Sequence, residues 1–154
     1  MNKENKIFQL EKENFRVNST GWDKFINNQG ITYLQNFEKD IWEYVGGVDE
    51  RLIGQQLLSW SSVMRETGKV GKRIPTDKEF NQFRKEDFGK IIYAGTRYTD
   101  TSFYNLDINT NFWSSSVSGP GSNACILTLY YDSLTVYRSA SNQTHGFSVR
   151  CLKN

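Results

Sequence analysis

Residues 112–151 read FWSSSVSGPGSNACILTLYYDSLTVYRSASNQTHGFSVRC. Runs at 112–117, 124–131, 134–138 and 147–152 are rich in β-branched, aromatic and hydroxyl residues, and Gly, Pro, Asn and Asp separate them. A further run at 90–94 has the same character. The connections are too short for helical crossovers, so neighbouring strands are expected to pair antiparallel. Gly119-Pro120-Gly121 is a turn rather than a phosphate loop, because neither a helix nor a Lys follows it.

Upstream of Phe88 the periodicity changes. Leu34, Phe37, Ile41, Trp42 and Val45 recur at helical spacing, with Glu38, Lys39 and Glu43 opposite them. With Thr32 as N-cap and Gly46-Gly47 as terminator, this predicts a helix between Thr32 and Gly46. Leu57, Trp60, Val63 and Met64 predict a second helix over 53–64. Thr76 followed by Asp77, Lys78 and Glu79 forms a capping box that opens a short helix through Phe83. Helices first and strands after indicate an α+β domain spanning 1–154, with helices in the N-terminal half and a mainly antiparallel sheet in the C-terminal half. Apolar runs at 7–10 and 15–17 suggest that residues 1–30 form an opening strand pair or an arm.

A chain of 154 residues can bury one core without metals or a disulfide lattice. Aromatic residues at 14% and charged residues at 23% argue against disorder. The net charge of +2 and a pI near 8.5 are spread evenly. Lys3, Lys6 and Lys12 alternate with Glu4, Glu11 and Glu13, and Lys69, Lys72 and Arg73 are answered by Asp77 and Glu79, so no nucleic-acid footprint is expected. No signal-peptide h-region and no run of about 18 apolar residues is present, so neither a membrane partner nor the usual secretion route is expected. A cytoplasmic or virion-associated protein is the expectation.

Cys125 and Cys151 lack CxxC or Cys/His spacing, so no metal, redox site or cofactor is indicated; free thiols are expected, with a disulfide as the alternative. His145 is the only histidine, which leaves no His-based triad or acid–base pair. Asp100, Asp107 and Asp132 sit in turns, where Asp serves the backbone. The chain reads as a binding protein, not an enzyme.

Three segments carry a resemblance: Lys72-Arg73-Ile74-Pro75-Thr76-Asp77-Lys78-Glu79-Phe80, Phe112-Trp113-Ser114-Ser115-Ser116 and Gly146-Phe147-Ser148-Val149-Arg150-Cys151. In this order they resemble landmarks of the C-type-lectin-like group that contains bacterial major paralogous domains and the variable proteins of diversity-generating retroelements. The resemblance covers roughly residues 53–154. It implies a C-type-lectin-like fold whose last strands, within 112–151, display a solvent-facing patch for a protein or other macromolecular ligand. The calcium-binding triplets Glu-Pro-Asn and Trp-Asn-Asp are absent, so calcium-dependent sugar binding is not implied. The closely spaced cysteines of the formylglycine-generating branch are absent too.

In the retroelement members the patch is diversified by miscopying of template adenines, mostly in Asn codons. Such miscopying never produces Lys, Glu, Gln, Met or Trp from those codons. These five types fill 31 of residues 1–113, about 27%, which predicts about nine among the 33 residues 114–146; one is present, Gln143. A template Lys codon can yield that Gln. Exposed Ser/Thr/Tyr strands also avoid Lys and Glu. Two readings therefore stand, a diversified surface and a fixed module that binds one protein or glycan.

Strand alternation puts Leu127 and Leu129 on one face and Ile126, Thr128 and Tyr130 on the other. In the next run Leu134 and Val136 are expected to point inward, and Ser133, Thr135 and Tyr137 outward. Residues 138–145 read as an exposed loop. The candidate ligand-binding residues are Ile126, Thr128, Tyr130, Tyr131, Asp132, Ser133, Thr135, Tyr137, Arg138, Ser139, Ser141, Asn142, Thr144 and His145. Tyr130, Tyr131 and Tyr137 are expected to carry affinity, since Tyr offers large rigid contact with a polar handle. Trp113, Phe147, Val149 and Arg150 belong to the scaffold, with Arg150 paired to a buried acid or to backbone carbonyls.

Overall fold

The computed structural model describes residues 8–18, 21–22, 24–98 and 102–153; for 24–28 the description is of the backbone. Lys3, Glu4, Lys6, the start of the 7–10 run and Asp100 lie outside the described residues.

Strands β1 (Lys24–Asn28), β2 (Ile31–Asn36), β3 (Ile41–Gly46) and β4 (Gln56–Leu58) form an antiparallel sheet in the order β1-β2-β3-β4. Helix α1 (Trp60–Lys69) and the one-turn α2 (Asp77–Phe80) follow. A two-stranded ribbon pairs β5 (Thr96–Arg97) with β6 (Phe103–Tyr104). The last sheet is an antiparallel meander of β7 (Asn109–Ser118), β8 (Asn123–Tyr130) and β9 (Val136–Asn142). The architecture is α+β, mostly antiparallel, with few helices.

Several elements differ from expectation. The 30–46 segment is a β-hairpin, not a helix, and Thr32 caps nothing. Its decisive period is two: Ile31, Tyr33 and Gln35 are buried in β2, and Trp42 and Tyr44 in β3. The supposed helical face contains Phe37, which is 48% exposed, and half-buried Leu34 and Val45. Asn36 closes the hairpin by accepting the Lys39 N–H at 3.0 Å, and Asp40 takes φ 50°. The predicted 53–64 helix is instead β4 followed by α1, which starts and ends later. Ile53 and Met64 are exposed, and α1 buries Ser62, Val63, Glu66 and Thr67. The N-terminal half is thus strand-rich rather than helical.

The capping box forms as read: Thr76 Oγ1 accepts the Glu79 N–H at 3.0 Å, and Glu79 Oε1 accepts the Thr76 N–H at 2.9 Å. The expected strands at 90–94 and 147–152 form no ladder of their own, and at the first the Ala94 N–H turns back to the Ile92 carbonyl at 3.0 Å. Residues 147–152 instead make single bridges, Phe147 to Leu58, Ser148 to Phe112 and Leu152 to Leu10. The N-terminal arm runs against this tail, with the Glu11 N–H donating to the Cys151 carbonyl at 2.9 Å and the Phe15 N–H to Val149 at 2.8 Å. Farther along the arm, the Gln56 side-chain amide pairs with the Val17 backbone, accepting its N–H at 2.7 Å and donating to its carbonyl at 2.9 Å.

Arg150 is fully buried beneath this junction. Its guanidinium donates to Asn14 Oδ1 and to the carbonyls of Glu11, Phe88 and Lys90, and it lies over the Phe88 and Phe112 rings at 5.8 and 5.3 Å. Carbonyls, not an acid, are its hydrogen-bonding partners. Burial pulls its pKa down to about 10.

Both cysteines are free thiols, Cys125 half-buried and Cys151 buried. Burial raises both pKa values, that of Cys151 to about 12.

Arg150→Met strands four oxygen acceptors at the junction and is expected to cost about 3–5 kcal/mol in urea unfolding. A loss under about 1 kcal/mol would mean that the arm is held by other contacts. A second expectation concerns acid. The Arg73 guanidinium and the Thr76 N–H hold the Glu79 carboxyl at about 2, below its ordinary 4.5. Its stabilisation is therefore complete above pH 4.5 and lost as pH falls towards 2. Glu79→Gln should flatten the melting temperature across that window.

Candidate functional site

The β7–β8–β9 sheet has two faces with different tasks. Register pairs Asn111 with Thr128 and Trp113 with Ile126, and then Thr128 with Tyr137, Ile126 with Ser139 and Ala124 with Ser141. These side chains share one face. The other carries Phe112, Leu127, Leu129 and Val136, which pack with Phe80, Phe83 and Phe88 beneath α2.

On the first face, burial falls from β7 to β9. Trp113 is fully buried, donates Nε1–H to the Leu58 carbonyl at 2.8 Å and lies 4.6 Å from the Phe147 ring. Beside it runs a buried polar chain, in which the Asn111 amide donates to Thr96 Oγ1 at 2.8 Å and Thr128 Oγ1 donates to Asn111 Oδ1 at 2.5 Å. Every hydroxyl in this chain is engaged, which makes it a floor rather than a binding group. β9 is the edge strand, and Tyr137 and Ser139 are exposed on it.

Aromatic groups stand at both ends of this edge. Tyr130 and Tyr137 meet edge to face at 5.4 Å. At the other end Ser141 Oγ lies 2.9 Å from His145 Nδ1, the His145 ring packs at a tilt against Tyr98 at 4.8 Å, and Tyr98 likewise against Tyr104 at 4.6 Å. Four strand steps separate Tyr137 from Ser141, about 14 Å. The result is a ridge of Tyr, Ser and His above a fixed floor.

Tyr98 and Tyr104 escape a sequence reading confined to 112–151. They reach the ridge because Arg97 pairs with Gly146, whose N–H donates to the Arg97 carbonyl at 2.7 Å and whose carbonyl accepts the Arg97 N–H at 3.0 Å. Arg97 itself is buried over the Trp42 ring at 4.1 Å. No pattern in the β5–β6 segment announces this pairing.

The predicted site residues divide into four groups. Tyr130, Tyr137, Ser139, Ser141 and His145 come together on the ridge. Ile126 and Thr128 share that face, as alternation requires, but they are buried at 6% and 7%; the outward reading is corrected, because Ile126 packs with Trp113 and Phe147 and Thr128 is taken up by Asn111. Tyr131, Asp132, Ser133 and Thr135 belong to the β8–β9 turn. Leu134, expected inside, is 87% exposed there, because the chain is still turning and strand alternation begins only at Val136.

Arg138 and Asn142 sit on the opposite face. Arg138 Nε donates to Asp77 Oδ1 at 3.0 Å, tying β9 to α2. Residues 138–142 are strand rather than loop. Asn142 Oδ1 accepts the Thr144 N–H at 2.9 Å and its hydroxyl at 2.7 Å, so Asn142 and Thr144 shape the turn that delivers His145.

Chemically, the ridge offers stacking surface and neutral hydroxyls. Among the described residues no group of three or more His, Cys, Asp or Glu is placed to hold a metal ion.

Gly146 gives the site a structural test. A Cβ there would lie 2.9 Å from Trp42 ring atoms and 3.2 Å from Leu57 Cβ. Gly146→Ala should cost about 1–3 kcal/mol by overpacking and shift the ring resonances of Tyr98 and His145. Unchanged NMR shifts of those rings would contradict this account of how the ridge is seated.

Against known proteins, no family model, no curated protein and no solved structure matches the chain.

Proposed function

We propose that the chain is a binding protein that presents the β9 ridge, with Tyr98, Tyr104, Tyr130, Tyr137, Ser139, Ser141 and His145, to a protein or other macromolecular ligand. The carrying observation is the division between an exposed or half-buried Tyr/Ser/His ridge and a floor in which Asn111, Thr96 and Thr128 are engaged with one another. Tyr supplies rigid contact area at low entropic cost and Ser supplies adaptable hydrogen bonds, a composition suited to recognition rather than to bond-breaking. No catalytic residue and no cofactor belongs to this proposal.

The scaffold, we further propose, is C-type-lectin-like. What supports this is the meeting of three segments far apart in sequence. The Ser115 N–H donates to the Pro75 carbonyl at 2.9 Å, the Asp77 N–H to Ser116 Oγ at 2.9 Å, and the Leu152 N–H to the Arg73 carbonyl at 3.0 Å. Ser148 bridges Phe112. The resemblance in sequence order is thus accompanied by contact in space.

Within that reading the ridge is a surface varied by adenine-directed retroelement mutagenesis. Most of its residues fall in 114–146, on positions whose side chains the core does not need. One observation favours the second reading, a fixed module with a single partner. The depletion of Lys, Glu, Gln, Met and Trp begins at residue 91, since 91–112 contain none of the five, and much of that stretch is buried. The change in composition therefore does not fall at Ser114.

Sequencing the locus separates the two. A reverse-transcriptase gene and a second copy of codons 112–151 differing at adenines are expected for the diversified protein; their absence leaves the fixed module. For the ridge, Tyr137→Ala combined with Ser139→Ala should change unfolding free energy by no more than about 1 kcal/mol, while Asn111→Leu should cost about 2–3 kcal/mol. Equal costs would abolish the distinction between ridge and floor.

A further inference from the structure

The turn from β8 to β9 holds the most exposed large apolar side chain among the described residues, Leu134 at 87%. Its exposure is not matched by freedom. Lys85 Nζ donates to the carbonyls of Tyr130 at 2.6 Å and Ser133 at 2.7 Å, and the Thr135 N–H donates to Ser133 Oγ at 3.1 Å. Next to the turn lies a groove of about 440 Å³ lined by Phe83, Arg84, Lys85, Glu86, Leu134 and Val136. Ile108 and Tyr131, 45% and 60% exposed, adjoin the same turn, joined by a Tyr131 N–H to Ile108 carbonyl bond of 3.1 Å. A held leucine beside an apolar groove, with two further exposed apolar side chains, marks a contact surface.

We propose that this surface pairs with itself in a second copy of the chain, Leu134 of each copy entering the groove of the other about a two-fold axis between the two turns. Isologous pairing requires knob and groove on a single patch, and both are present. The knob has an apolar tip and an acid, Asp132, two residues before it. The groove has an apolar floor, Phe83 and Val136, with Arg84 and Lys85 against the single acid Glu86. Seating Leu134 brings Asp132 of one copy towards the exposed Arg84 of the other, so charge and apolarity match together. An anionic polymer would satisfy the cations but leave Leu134 in water. The contact lies at the sheet end rather than on the Tyr/Ser/His ridge, so it leaves that ridge open in both copies and does not rest on the ligand reading.

Sedimentation velocity of the full chain over a concentration series tests this. A monomer–dimer equilibrium is expected. Leu134→Asp should abolish the dimer while leaving the melting temperature of dilute protein unchanged, because the side chain buries little within one copy. Asp132→Arg and Arg84→Glu should each weaken the dimer about fourfold to twenty-five-fold, since an exposed ion pair worth about twofold to fivefold occurs twice about the axis, and the double variant should recover affinity. A chain monomeric throughout, a dimer that survives Leu134→Asp, or a double variant no tighter than the single ones overturns the proposal.

Discussion

The Arg150 guanidinium has to be buried and has to be solvated, and the protein meets both demands with its own carbonyl oxygens. A cation in a core normally brings an acid with it or loses its charge. Here Asn14, Glu11, Phe88 and Lys90 supply the oxygens and two phenylalanine rings supply the faces. Those groups come from the N-terminal arm, from the turn after α2 and from β7. Each must be correctly placed before the charge is satisfied, so one side chain enforces the mutual position of three otherwise separate parts. The ridge sits on the far side of the sheet held by this arrangement.

Where the sequence was legible, a local physical signal and the tertiary structure agreed. The capping box at Thr76–Glu79 is self-contained, and the alternation of Leu127 and Leu129 survives because both sides of β8 are covered in a regular ladder. The 30–46 hairpin was misread because Leu34, Phe37, Ile41 and Val45 mimic helical spacing while the buried pairs follow a period of two, and the turn between them carries no Gly. Leu134 was misread because alternation was extended backwards into a turn. In each case an apolar residue was assigned to the interior although the structure leaves it exposed.

The ridge was half legible. Its β9 residues follow from strand periodicity, and Tyr130 with Tyr137 follows from cross-strand pairing. Tyr98 and Tyr104 depend on the contact between Arg97 and Gly146, residues 49 positions apart that are joined by backbone bonds alone. Backbone pairing leaves little trace in side-chain identity, apart from the requirement for glycine where Trp42 comes close. Ile126 and Thr128 show the converse, since alternation gave their face correctly but could not foresee what lies over it.

The bridge between Leu10 and Leu152, with Arg150 beneath it, has a temporal consequence. During synthesis the arm emerges long before the residues that receive it, at 149–152. Until then Phe88 and Phe112 lack the cation that lies against them, and the arm lacks its hydrogen-bond partners. Contacts of such sequence separation fold slowly. A chain lacking this stretch would leave that apolar seam open to neighbouring chains.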